Sequence, residues 1–284
     1  MRTIDNVLII VNRRKKDSLA IAGEIRSYLE KQKISTFLHE TETDIQEVGE
    51  LGNMDLAISL GGDGTVLYAA RILSDFSIPI MPINLGTFGF ITEVSFSEWR
   101  NAFDEYRSGL LGVSSRVMLD ILVYREGQSL HQFRGLNDVV VNADGIAKLL
   151  YLNVDINHEN LGVYRADGVI IATPTGSTAY SIAAGGPIMH PDMSSMILTP
   201  ICPFSLSNRP IVIPSSDTIT IRVEENQRAK AILTVDGQLT FPLEEKDEIY
   251  ITEFKSRIPI IRSDKRSFFG VVKSKLRWSG GNDA

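Results

Sequence analysis

One stretch constrains the architecture more than any other: LAISLGGDGTVLYAARIL, Leu56 to Leu73. It opens on an apolar run, LAISL, of the kind found in a strand covered on both faces. It closes on Val66, Ala69, Ala70 and Leu73 at helical spacing, a stripe that needs a surface to pack on. Glycines join the two, giving a strand, loop, helix unit. The flanking segments repeat that rhythm. VLIIV (Val7 to Val11) and IPIMPINLG (Ile78 to Gly86) read as strands. Ile21, Ile25, Tyr28 and Leu29 recur at helical spacing behind an N-cap signal at Asp17 and Ser18, and FSEWRNAFDEY is a further helix. Strands alternating with helices imply a parallel sheet with right-handed crossovers.

After about residue 112 the period changes to two. MLDILVY, KLLYLNVDI, TITIRV and AILTV alternate, and the turn signals REGQ, NHEN, EENQ and DGQ separate such runs. The expected fold is therefore α+β overall. Residues 1–110 form an α/β domain with a parallel, Rossmann-like sheet carrying the glycine loop, and residues 111–264 form a mainly β, sandwich-like domain. The tail, residues 265–284, carries Phe268, Phe269, Val271 and Val272 and is expected to pack back on the first domain. A chain of 284 residues is enough for one large domain or two ordinary ones, with ample material for a buried core. Its net charge of -6 argues against nucleic acid as a partner, and it has no apolar run long enough to span a membrane. The single cysteine, Cys202, suits a reducing compartment, and a cytoplasmic location is the expectation.

The glycine loop poses a chemical problem. GGDGTV lacks the lysine of a P-loop, and the dinucleotide fingerprint fails at its third glycine, where Leu67 stands. Its context, between strand and helix, still suits an anion, because helix N-terminal amides carry partial positive charge. Gly61, Gly62, Gly64 and Thr65 are thus candidates for binding phosphate. Asp63 would repel that phosphate. Either Asp63 or Thr65 simply caps the helix, or the labour is divided. In the second case the amides hold phosphate while Asp63 takes a proton from a hydroxyl, or holds Mg²⁺ through water, where phosphoryl transfer occurs.

A second loop, in RADGVIIATPTGSTAYSIAAGGPI (Arg165 to Ile188), gathers Thr175, Ser177, Thr178 and Ser181 around Gly176. Small hydroxyls can surround a polar ligand with donors, and Tyr180 offers a ring for stacking on a base. An ordinary Ser/Thr-rich turn capping a short helix is the plainer alternative. A hydrolase elbow is disfavoured, because Ser177 directly follows Gly176.

Taken together, GGDGT (Gly61 to Thr65), NLGTFGF (Asn84 to Phe90), LNDVVV (Leu136 to Val141), RADG (Arg165 to Gly168), TPTGSTAYS and NRPIV (Asn208 to Val212) resemble the NAD kinase family. The pieces extend through most of the chain in one order, and as a set they are highly specific. The resemblance implies transfer of the ATP γ-phosphoryl group to the 2′-hydroxyl of the adenosine ribose of NAD, with Mg²⁺ accompanying ATP and a homodimer or homotetramer as the assembly. It makes Asp63 the catalytic proton acceptor, with Gly64 beside it at the ligand. It places NAD contacts on Asn137, Asp138, Lys148, Arg165, Asp167, Thr178, Ala179, Tyr180, Ser181, Ile182, Ala183 and Gln238.

One departure stands out: Phe204 occupies a position where the family often has histidine. The four histidines, His39, His131, His158 and His190, form no metal-binding spacing. Two other readings compete: a kinase for a lipid or sugar hydroxyl from the same superfamily, and a non-catalytic dinucleotide sensor, which would have no need of Asp63.

Overall fold

The computed structural model describes residues 2–15, 17–41, 51–86, 89–145 and 149–277. The chain divides into two units: residues up to Ser115 together with those from Ile258 onward, and Arg116–Arg257.

The first unit runs β1 (Asn6–Val11), α1 (Ser18–Lys31), β2 (Ser35–Glu40), β3 (Leu56–Gly61), α2 (Asp63–Leu73), β4 (Ile80–Asn84), a two-residue β5 (Val94–Ser95), α3 (Trp99–Ser108) and β6 (Val113–Arg116). The chain re-enters it as β19 (Ile258–Ile261) and ends in α5 (Phe268–Leu276). The sheet order is β2-β1-β3-β4-β19-β6, with β5 hydrogen-bonded to β4. β1 pairs in parallel with β2 and β3, and β4 with β3, β5 and β19. Every residue of β3 is buried, as its apolar run requires. The α1 stripe buries Ala22, Ile25 and Leu29, and the α2 stripe buries Val66, Ala69, Ala70 and Leu73. Asp17 does stand at the N-cap of α1, but in the left-handed region (φ 62°) and without a capping side-chain hydrogen bond. Strand order reverses between β1 and β3, and in open α/β sheets the strand carboxyl ends at such a point form a ligand-binding crevice. The glycine loop leaves β3 at that end.

The boundary expected at residue 264 falls earlier. The apolar run Ile258–Ile261 follows the β-rich segment in sequence but finds its hydrogen-bond partner on β4. Behind it, Arg266 donates to the Glu93 carbonyl (2.8 Å) and pairs with Glu98 (2.7 Å), which holds the Glu98 carboxyl down at about 2. In α5, Val272 is buried while Phe269 is left 70% exposed.

The second unit contains β7 (Leu119–Arg125), β8 (Gln128–Gly135), β9 (Asp138–Asp144), β10 (Leu150–Ile156), β11 (Glu159–Ala166), β12 (Gly168–Ala172), the single-turn α4 (Tyr180–Ala183), β13 (Ser195–Ile201), β14 (Ile211–Pro214), β15 (Ile219–Val223), β16 (Lys230–Val235), β17 (Leu239–Leu243) and β18 (Glu248–Glu253). Two six-stranded sheets form, ordered β11-β10-β15-β18-β7-β8 and β14-β13-β12-β9-β16-β17. They share one core: Ile121, Leu152 and Ile221 from the first meet Val141, Ile171 and Leu233 from the second. Three of the turn signals make tight hairpins with two successive residues at positive φ: Glu126–Gly127, Asn157–His158 and Asp236–Gly237. Among the described residues, no helix is long and apolar enough to cross a membrane.

Candidate active site

β3 delivers Gly61 directly under the first turn of α2, where a Cβ would lie 2.1 Å from Thr65 Oγ1. Gly62 is the extended N-cap residue, and no side chain caps the helix there. The Thr65 amide is spent inside the helix on the Gly62 carbonyl (2.9 Å). Neither Asp63 nor Thr65 therefore caps α2, and Thr65 is buried. Gly64 is exposed and Gly62 half-buried.

Asp63 reaches out of the helix to another segment. Its Oδ2 accepts the Phe90 amide (2.8 Å), and its Oδ1 accepts the amides of Ile91 (3.2 Å) and Thr92 (3.0 Å) and the Thr92 hydroxyl (3.0 Å). Thr92 is held in turn by Asn84 Nδ2 (2.8 Å). The carboxylate lies on the main chain of Gly89, where a Cβ would sit 1.8 Å from Oδ1. Only glycine fits. A carboxylate oxygen takes about two donors. Oδ1 is thus filled, and Oδ2 keeps room for one more among the described residues.

In the second unit, a pocket of about 310 Å³ opens between Asn137, Asp138, Asn142, Tyr180, Thr234 and Asp236. The Ser/Thr loop builds its wall. Gly176 packs on the Asn137 carbonyl, which a Cβ would approach to 2.0 Å, and the Thr173 amide donates to the same carbonyl (2.8 Å). The hydroxyls that looked suited to a ligand are used to fold the loop. Ser177 Oγ donates to Pro174 (2.7 Å) and accepts the Met189 amide (3.0 Å), Ser181 pairs with Thr199 (3.0 Å), and Thr178 donates to Thr175 (3.3 Å). They turn inward because the loop continues from a fully buried strand, β12, and its amides and carbonyls need partners there. Tyr180 is different: the residue is 47% exposed and lines the pocket.

Asn137 Oδ1, at this wall, is a buried polar atom with no partner among the described residues, and so is Thr175 Oγ1 in the Ser/Thr loop. An unmet buried acceptor costs roughly 1–3 kcal/mol, a cost that a donor reaching Asn137 Oδ1 would offset. Electrostatics are also unusual. Burial, together with the nearby Asp236, raises the Asp138 carboxyl to about 7, against the opposing pull of the Tyr180 amide. Asp236 is itself buried and accepts the amides of Leu136 (2.9 Å), Asn137 (2.7 Å) and Asp138 (3.1 Å).

Of the residues expected to contact a dinucleotide, the pocket brings together Asn137, Asp138, Ala179 and Tyr180. Thr178, Ser181, Ile182, Ala183 and Gln238 do not line it. Nor do Asp167, just before β12, and Arg165, an exposed residue of β11 whose guanidinium lies over the rings of Phe204 (4.5 Å) and Tyr151 (5.3 Å). Lys148 lies outside the described residues. Asp236, Asn142 and Thr234 were missed. The Asp-Gly pair that betrays a hairpin was the available signal for Asp236, and it says nothing about the side chain's target. Among the described residues, no three His, Cys, Asp or Glu side chains are grouped as metal ligands.

Comparison with known proteins agrees along the chain. Residues 49–110 match the model of the ATP-NAD kinase N-terminal domain, and residues 136–263 match that of the ATP-NAD kinase C-terminal domain. The chain is 42% identical over 277 residues to an NAD kinase of Treponema denticola, covering 97% of each chain. It is 38% identical over 279 residues to one of Lachnoclostridium phytofermentans, covering 94% of this chain and 97% of that relative. Among solved structures, it resembles a yeast NADH kinase complexed with NADH (TM-score 0.87, 25% identity, 99% of this chain and 89% of that one). The fold is also that of an NAD kinase from Archaeoglobus fulgidus in complex with ATP (TM-score 0.76, 24% identity, 96% and 98% covered).

Proposed function

The chain belongs to the NAD kinase family, and we propose that it transfers the γ-phosphoryl group of ATP to the 2′-hydroxyl of the adenosine ribose of NAD, giving NADP and ADP. The observation that carries this reading is the wall of the second-unit pocket. There the buried, unpartnered Asn137 Oδ1 and the Asp138 carboxyl stand beside the exposed Tyr180 ring. Ribose hydroxyls and a base need that combination of acceptor, dual-purpose carboxyl and aromatic face.

Asp63 is the proton acceptor in this reading. The 2′-oxygen forms a bond to Pγ as the bond from Pγ to the ADP oxygen breaks, and the hydroxyl proton passes to Asp63. Its Oδ2 is the atom assigned to take that proton, since Oδ1 already has three donors. The clasp on residues 90–92 supports the role by fixing the carboxylate's orientation, which a general base requires. The divalent cation belongs to the donor substrate: magnesium is generally bound by nucleotide phosphates with one or two carboxylates and several waters, and it neutralises phosphate charge. Glycine amides at the start of α2 are the assigned resting place of those phosphates.

The test is direct. Purified protein incubated with Mg-ATP and NAD is expected to form NADP, and Asp63→Asn is expected to lower turnover by about 10²–10⁴-fold with NAD affinity largely kept. Near wild-type turnover in that variant removes Asp63 from the base role and leaves it as a clasp for the 90–92 segment. NAD binding without NADP formation from any phosphoryl donor would overturn the kinase reading.

A further inference from the structure

Asp236 sits in the hairpin turn between β16 and β17, in the left-handed region (φ 52°), followed by Gly237 at φ 64°. Residues there usually face solvent. Asp236 is 8% exposed, and its carboxylate turns back onto the main chain entering β9. Oδ2 accepts the Leu136 amide (2.9 Å), while Oδ1 accepts those of Asn137 (2.7 Å) and Asp138 (3.1 Å). The Asp236 amide donates to the Asp138 carbonyl (2.9 Å), closing the clasp from the other side. Three consecutive donors converging on one acceptor-only group fix the path of the chain that presents Asn137 and Asp138 to the pocket.

We propose that Asp236 is a positioning residue for dinucleotide binding: it holds the Asn137–Asp138 turn from behind, and its charge sets the hydrogen-bonding character of the Asp138 carboxyl. The inference rests on the NAD-binding reading of this pocket. It adds a residue that need not touch the ligand and that acts through two that do.

The surroundings of Asp138 are simple enough to assign the effect. β9 lies between β12 and β16, with Asp138 opposite Ala172 on the first and Val139 opposite Val235 on the second. The remaining pocket wall offers Tyr180, whose amide favours the ionised form of Asp138, together with uncharged Asn142 and Thr234. Asp236 is the charged group that opposes ionisation. With its proton, the Asp138 carboxyl can both donate and accept; without it, the carboxylate only accepts and adds negative charge beside an anionic dinucleotide. Affinity for NAD is therefore expected to fall as pH rises through the neutral range.

Two measurements test this on the whole protein. Calorimetric titration with NAD from about pH 5 to about pH 9 is expected to find a break in wild-type affinity near neutrality. In Asp236→Asn the break moves to lower pH, affinity falls by about tenfold, and the loss appears in KM for NAD more than in kcat. Carbon NMR of the Asp138 carboxyl in the ligand-free protein should titrate at lower pH in the variant, whether or not NAD is the ligand. Should Asp236→Asn fail to fold, Asp236→Glu keeps the charge on a longer arm; it is expected to weaken binding while leaving the break near neutrality. An Asp138 titration that does not move in Asp236→Asn overturns the inference, as does wild-type NAD affinity in that variant. Wild-type protein that binds no NAD at any pH overturns the reading of the pocket, and this inference with it.

Discussion

Two carboxylates, one in each unit, do the same thing to the backbone. Asp63 gathers the amides of Phe90, Ile91 and Thr92, and Asp236 gathers those of Leu136, Asn137 and Asp138. Each clasp has a glycine beside it, but the fits differ. A Cβ on Gly89 would lie 1.8 Å from Asp63 Oδ1, whereas one on Gly135 would lie 3.3 Å from Asp236 Oδ1. The first carboxylate is pressed on the main chain; the second has a little room. The first also has a hydroxyl, Thr92, as its fourth donor, while the second has another acid, Asp138, for a neighbour. The same hydrogen-bond pattern thus gives two chemistries. A carboxylate enclosed by donors is held still, and one set beside a second acid raises that acid's pKa.

The sharpest way to break the comparison is at Gly89. Gly89→Ala puts a methyl group where the Asp63 carboxylate now lies, so the carboxylate must leave and the 90–92 amides lose their acceptor. Turnover is expected to fall by about 10²-fold or more, the scale of a misplaced catalytic group, with a smaller change in NAD affinity. Steady-state kinetics with both substrates varied checks it. Wild-type turnover would mean that the clasp does not position Asp63 for chemistry.

Next in size is a stability effect in the second unit. The Asp138 carboxyl lies at about 7 in the fold against 3.8 for the free group. The folded state therefore holds a proton that the unfolded state has released, and stability falls as pH rises from about 4 through about 7. The full cost, on the order of a few kcal/mol, is in place above that window. Asp138→Asn removes it. The ligand-free variant is expected to melt several degrees above wild type at about pH 8, with the gap closing toward about pH 4, and to bind NAD more weakly. Thermal scans across pH read the first effect; a gap that is independent of pH would contradict the raised carboxyl.

These residues also mark how far the sequence could be read. The buried strands β1, β3 and β4 announce themselves as apolar runs, and the stripes of α1 and α2 are periodic. Edge strand β2 does not, because Ser35–Glu40 has mixed burial and no clean alternation. The run Ile258–Ile261 is apolar, but nothing local says that it leaves the β-rich segment to pair with β4. The site divides in the same way. Asp63 and Tyr180 lie in motifs whose residue types suggest their chemistry, whereas Asn137 and Asp138 are reached only through the family resemblance. Asp236 lies in an Asp-Gly hairpin whose local signal is complete without any long-range role, and its partners are about a hundred residues away in sequence. The hydroxyls of Ser177 and Ser181 are engaged within the protein, because a loop leaving a buried strand must satisfy its own backbone.

The smallest expected effect concerns Phe204, where the resemblance led to an expectation of histidine. Its amide donates to the Arg165 carbonyl (2.8 Å), and its ring lies 4.5 Å from the Arg165 guanidinium carbon, with Tyr151 on the same cation at 5.3 Å. The backbone bond does not depend on the side chain, so substitution removes only the ring. Phe204 is 67% exposed, and cation–π contacts at exposed sites contribute about 0.5–1 kcal/mol. Tyr151 remains to hold the guanidinium. Phe204→Ala is therefore expected to change NAD affinity by no more than about fivefold and to leave kcat unaltered, because Asp63 and the Asp138–Asp236 pair keep all their partners. Phe204→His, which preserves a flat ring over Arg165, is expected to fall between Phe204→Ala and wild type. A loss of two orders of magnitude in either variant would show that Arg165 depends on this ring to reach its ligand, and that the second unit's binding surface extends beyond the pocket at Asn137 and Asp138.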